Sequence, residues 1–141
     1  GFLPAWKGKA TSVFLSEWPR ESLSAWKSQQ IEQGFEPIWK LREPVLRELE
    51  AARQVKTIGH PREAKVQLTA DAASIQALKA IGEDPKRLFL VSELELVTGA
   101  ALGVRVEKAP GDKCARCWTF DQGVGKSSQH PDLCGRCEQA I

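Results

Sequence analysis

The 141-residue chain contains no methionine, not even at position 1, which points to a stretch of a longer protein rather than a natural start at Gly1. No apolar run approaches the ~20 residues of a membrane span, and no secretory leader core is visible. A strong excess of one charge is missing too: the net charge is +2, so composition alone does not announce a nucleic-acid binder. There is no glycine-rich phosphate loop, no strand–turn–helix nucleotide fingerprint, and no Cys/His or Ser/His pairing. Neither histidine has a nucleophile beside it, so no catalytic residue is assigned. Low-complexity segments are absent, and so is cysteine throughout the first 113 residues.

All four cysteines fall in one stretch, as Cys114-Ala115-Arg116-Cys117, sixteen residues, then Cys134-Gly135-Arg136-Cys137. Each Cys-x-x-Cys places two sulfurs on one side of a tight loop, and two such loops supply the thiolate tetrahedron that Zn²⁺ prefers. Gly135 is expected to relieve the backbone path of the second knuckle. Two disulfides would suit a cysteine-dense secreted scaffold, and a redox Cys-x-x-Cys normally occurs once rather than as a matched pair. The expectation is therefore one structural Zn²⁺ on Cys114, Cys117, Cys134 and Cys137. With four thiolates it has no open position for a catalytic water. His130, in the intervening loop, reads as a surface residue.

With 42% hydrophobic residues the chain can bury a core, as one domain or one with a small appendage. The first twenty residues are punctuated by Pro4, Gly8 and Pro19, with a short extended segment expected over Thr11–Leu15. Trp6, Trp18 and Trp26 read as packing residues for this arm. From about Ser24 to Val55 the period is helical, with Phe35, Ile38, Leu41 or Arg42, Val45, Leu49 and Ala52 on one stripe. Pro37 and Pro44 predict either a start near Pro37 with a kink at Pro44, or two helices meeting, and Gly59-His60-Pro61 ends the segment. A strand over Lys65–Thr69, a helix capped by Asp71 and running to about Ile81, a turn at 82–85, strand segments at Leu88–Val91 and Leu94–Val97, and another at Gly103–Glu107 follow. Glu93 and Glu95 share a solvated strand face. The fold class is α+β: a helical arm (1–62), a small strand–helix–strand body (63–108) and a four-cysteine zinc ribbon or knuckle (109–141).

The positions crowning the metal are Lys113, Arg116, Trp118, Phe120 and Arg136. A metal-held knuckle is rigid, and an indole with a guanidinium beside it suits an unpaired base. The alternative is that Trp118 and Phe120 form a small core behind the zinc; it is favoured for Phe120 and evenly balanced for Trp118. Between Lys40 and Lys65 there are seven basic and four acidic residues. Arg53, Lys56, Arg62 and Lys65 gather around the helix end, either as phosphate contacts or as a solvated terminus whose cations suit the helix dipole.

At Lys113-Cys114-Ala115-Arg116-Cys117-Trp118 and His130-Pro131-Asp132-Leu133-Cys134-Gly135-Arg136-Cys137 the sequence resembles the carboxy-terminal zinc region of bacterial-type isoleucyl-tRNA synthetases. Ser12-Val13-Phe14-Leu15 with Trp18-Pro19, and Glu50-Ala51-Ala52-Arg53 with Lys56, Ile58-Gly59 and Glu63-Ala64, extend the resemblance over essentially the whole chain. Pro61 departs from it, standing where the family usually has serine. The resemblance implies binding of the anticodon arm of isoleucine tRNA, with Arg116 and Trp118 meeting bases and the Arg53–Lys65 turn approaching the backbone. It further implies a single-copy partner of the rest of a synthetase, in a bacterial or organellar cytoplasm. The ATP-binding catalytic and editing domains of that family have no counterpart among these residues.

Two other readings stay open. A zinc finger of a formamidopyrimidine-type DNA glycosylase predicts a Gly-Arg-x-Thr hairpin where this chain has Ser128-Gln129-His130-Pro131, and a helix–two-turn–helix upstream. A zinc ribbon serving only protein contacts predicts no preference for one tRNA over another.

Overall fold

The computed structural model describes residues 12–15, 27–82 and 84–141; Trp6, Trp18 and Trp26 lie outside them. A single helix, α1 (Gln29–Gln54), dominates the amino-terminal part. Ser28 caps it, its side chain accepting from the Ile31 amide. Neither proline stops it: Pro37 and Pro44 both lie inside, so the expected start at Pro37 or junction at Pro44 does not occur. Each proline removes one intrahelical hydrogen bond, and burial of Ile38, Leu41, Val45, Leu49 and Ala52 on one stripe holds the helix together across both. The expected extended segment near residue 13 is instead a 3₁₀ turn, Val13–Leu15. Ser12 nucleates it, its carbonyl accepting from Leu15 N and its hydroxyl from Phe14 N.

The carboxy-terminal end of α1 is closed by two crossed hydrogen bonds, Thr57 N to Ala52 O at 2.9 Å and Lys56 N to Arg53 O at 3.0 Å. This is the Schellman pattern, and it holds Lys56 at φ +62°, where glycine is usual. A short 3₁₀ turn, Pro61–Glu63, then leads into the sheet.

Strands β1 (Ala64–Ala70), β2 (Glu93–Thr98) and β3 (Gly103–Lys108) form a sheet of order β2-β1-β3. β1 runs parallel to β2 and antiparallel to β3. In β1 the period of two sends Ala64, Val66, Leu68 and Ala70 into the core. Val66 sits between Leu94 and Val106, and Leu68 between Leu96 and Val104. On the other face Lys65 lies 3.8 Å from both Glu93 and Glu95.

The parallel crossover contains α2 (Ala72–Ala80), whose cap Asp71 accepts from the Ser74 amide, and a single turn, α3 (Lys86–Phe89). The strand expected at Leu88–Val91 is this turn and its exit. Leu88-Phe89-Leu90-Val91 is a four-residue apolar run, and such a run does not distinguish a strand from a buried turn. Phe89 and Val91 enter the core while Leu90 points out, 54% exposed and left-handed. One core cluster runs from Ile38 in α1 through the sheet to Val91. The architecture is α+β, and none of the helices among the described residues is long and apolar enough to cross a membrane.

Candidate metal centre and the cleft beside it

The zinc region begins where β3 ends. Strands β4 (Asp112–Lys113) and β5 (Phe120–Asp121) pair antiparallel and carry the first knuckle between them. Gly111 makes the entry possible: it sits at φ +89°, and a Cβ there would come within 2.5 Å of the Asp121 backbone. The second knuckle opens a short turn, α4 (Gly135–Glu138), with Cys134 at its start. Gly135 is not sterically required, contrary to expectation; a Cβ there would meet nothing within 4 Å. The knuckle residue with the unusual backbone is Trp118, at φ +64°, its amide bonded to Cys114 O at 2.9 Å.

The four sulfurs lie within 4.8 Å of one another, and all four cysteines are free thiols. Cys117 Sγ and Cys134 Sγ are 3.7 Å apart. A tetrahedron of Zn–S bonds has an edge of about 3.8 Å, whereas a disulfide would bring two sulfurs to about 2 Å. The protonation balance fits the same ion. Burial raises the Cys117 thiol, but Thr119, Cys114 and the Arg136 guanidinium outweigh it and bring it down to about 6. Cys137 is pushed up to about 12, by burial first and then by the neighbouring thiols. Left to itself the cluster resists carrying four negative charges, and a divalent cation removes that conflict. Cys114, Cys117, Cys134 and Cys137 fit one structural Zn²⁺, and when bound it cross-links the two knuckles.

Behind the sulfurs the small core is made by Val124 and Leu133, not by Phe120 or Trp118. Phe120 is half-buried in β5 with Lys108 Nζ 5.8 Å from its ring centre, so the expected role behind the metal passes to aliphatic residues of the long loop. Trp118 is 59% exposed, and Lys113 Nζ lies 5.0 Å from the indole centroid.

The finger is fastened to the body by polar contacts between residues far apart in sequence. Arg62 Nη1 donates to Cys117 O at 3.0 Å. Ser92, 4% exposed, accepts from the Phe120 amide at 2.7 Å and donates to Arg62 O. Ala109 N donates to Glu63 O at 2.7 Å. Beside this seam opens a cleft of about 790 Å³, lined by Arg62, Lys86, Arg87, Arg116, Trp118 and Arg136 among others, with Asp84 and Asp121 as its carboxylates. Arg116 is anchored, its Nη1 donating to Cys137 O at 3.1 Å and Ala140 O at 3.3 Å. Arg136 is held toward the Cys117 sulfur, an interaction that raises its pKa.

The structure thus brings Arg116, Trp118, Arg136 and Arg62 to one cleft, with Lys113 on the indole. The other members of the basic stretch go elsewhere. Arg53 is clasped by Glu50 through two bonds of 2.9 and 2.8 Å, Lys56 caps the helix, and Lys65 lies on the sheet face. Lys86, Arg87 and Leu90 line the cleft and escaped the sequence reading. The available signal was Asp84-Pro85-Lys86-Arg87, in which the Asp84 carboxylate accepts from the Lys86 amide at 3.2 Å and starts the turn.

A cage of two cysteine knuckles fixed to a small α+β body defines this chain as a zinc-finger region. The family model described as "Zinc finger found in FPG and IleRS" matches residues 111–140. Over the full chain the similarity is to isoleucine–tRNA ligases. That of Geobacter sulfurreducens is 34% identical over 152 residues, covering 100% of this chain and 16% of the relative. That of Syntrophotalea carbinolica is 37% identical over 140 residues, covering 92% and 15%, and that of Glaesserella parasuis 31% over 152 residues, covering 100% and 16%. The chain belongs to the isoleucyl-tRNA synthetase family, as its carboxy-terminal zinc-finger region, and spans about 16% of the length of the first of these relatives. Among the described residues the finger follows a three-stranded sheet rather than the helix–two-turn–helix that the glycosylase alternative requires.

Proposed function

We propose that this region binds the anticodon arm of isoleucine tRNA, so that the ligase of which it is part can carry out ATP-dependent isoleucylation elsewhere in its length. The observation that carries the reading is Trp118, an indole left in solvent on a metal-held turn at a cleft rich in cations. Stacking on such a ledge needs an unpaired base, and a loop of RNA offers several. The surrounding guanidiniums are held by backbone carbonyls and a cysteine sulfur, so little side-chain entropy remains to be lost on binding. Arg116 and Trp118 are the base-contacting pair in this reading, with Lys113, Arg136 and Arg62 toward the sugar–phosphate chain. Arg53, Lys56 and Lys65 serve as outer contacts along the backbone. The partners are the tRNA and the remainder of the synthetase, the chain acts as a single copy, and the setting is a bacterial or organellar cytoplasm.

The test is fluorescence anisotropy of a labelled isoleucine anticodon stem-loop on the zinc-loaded chain, against the same stem closed by an unrelated loop. Preference for the first, weakened by about 1–3 kcal/mol in Trp118→Ala, is the expected result. Equal binding of both loops would leave a protein-contact ribbon as the better account.

A further inference from the structure

Besides the knuckle, a second segment lines the cleft: the turn α3 and its exit, through Lys86, Arg87 and Leu90. Three non-glycine residues among those described have positive φ, and two of them, Leu90 and Trp118, line this cleft. Leu90 closes α3, with its own amide on Arg87 O and the next amide on Lys86 O, a position glycine would fill with less strain. Its side chain is 54% exposed, as Trp118 is 59%. Strained backbone presenting apolar side chains to solvent is a mark of a binding surface. The charges agree: Arg62, Lys86, Arg87, Arg116 and Arg136 face Asp84 and Asp121 in one concavity, and low-dielectric walls focus such a field. Lys86 is paired with Asp84 at 3.0 Å, but both groups remain 40% and 48% exposed, so the pair is weak and can open to an incoming anion.

We propose that the cleft takes an unstacked single-stranded RNA segment between two apolar ledges, Leu90 and Trp118, and that Lys86 and Arg87 hold its phosphates. The proposal rests on the loop-binding reading above and adds to it a second wall, which makes the site a clamp instead of a one-sided platform. The side-chain chemistry selects the ligand class. An indole and a leucine suit base faces, and the cations suit phosphates rather than a neutral or basic peptide.

The experiment uses the zinc-loaded chain and the labelled isoleucine anticodon stem-loop, with affinity measured over a series of KCl concentrations. Lys86→Gln with Arg87→Gln is expected to weaken binding about tenfold at low salt. It should also flatten the slope of log K against log salt by ~0.7 for each phosphate no longer neutralised. Leu90→Gly is expected to weaken binding about fivefold or more with the salt slope unchanged and the melting midpoint not lowered. Wild-type affinity in both variants, with Trp118→Ala still weak, would overturn the second wall while leaving the loop reading intact. Wild-type affinity in Trp118→Ala as well would remove both. Displacement of the stem-loop by polyglutamate as readily as by unlabelled loop would overturn the assignment to RNA.

Discussion

Replacing Trp118 by glycine and, separately, by alanine separates the backbone of the first knuckle from the indole it presents. Both variants lose the same ring, the same cation–π interaction with Lys113 and the same partial burial, so those contributions cancel between them. What remains is the cost of holding a Cβ at φ +64°. The left-handed conformation costs an L-residue about 1–2 kcal/mol, while glycine loses roughly 0.5–1 kcal/mol more conformational entropy on folding than alanine does. The glycine variant should therefore be the more stable by about 0.5–1 kcal/mol, the reverse of the order found in ordinary helices and strands. Urea unfolding of the two zinc-loaded variants, compared by midpoint at equal slope, measures the difference. Stem-loop affinity should fall in both to the same extent. Alanine proving equal or better in stability would refute the left-handed assignment. Unchanged affinity in both would refute the indole as a stacking surface, whatever the stabilities.

Cys134→Ser should abolish stoichiometric zinc and loosen the chain from about Gly111 onward, while the helical circular dichroism of α1 persists, because α1 and β3 are anchored in the other core cluster; a full zinc complement in metal analysis would contradict the four-thiolate cage. Ser92→Ala leaves the Phe120 amide and the Arg62 carbonyl without their shared partner at a 4% exposed position, a loss of about 1–3 kcal/mol. It should also speed hydrogen exchange at the seam, which unaltered amide protection would argue against. Lys56→Gly, at the left-handed end of α1, should raise stability by about 0.5–1 kcal/mol, the left-handed cost less the entropy glycine loses, visible as a higher melting midpoint; an unchanged or lower midpoint would contradict the strained cap.

Legibility in the sequence followed the range of the interaction. The cage could be read directly because zinc needs four donors and the chain carries only four sulfurs, in two matched pairs. Strand β1 and the Asp71 cap were equally plain, each being local: alternation in Ala64–Ala70, and a carboxylate three residues before the amide it binds. The cleft was not legible. It exists because Arg62 reaches Cys117, 55 positions away, and Ser92 reaches Phe120, 28 positions away, and no periodicity records such a docking. The same docking decides which basic residues share a site. Arg53 and Arg62 are neighbours in the chain, yet one is neutralised by Glu50 three residues before it while the other lines the cleft. Trp118 shows the limit most sharply. The spacing of the cysteines marks a tight turn, and tight turns favour glycine, so the sequence points to Gly135 as the relieved position. The structure instead puts the left-handed residue one step past Cys117 and fills it with the bulkiest side chain available. With Trp118 59% exposed at φ +64°, partial burial and the Lys113 ammonium offset only part of its backbone cost, and under the proposed stacking role an unpaired base would cover the rest of the ring.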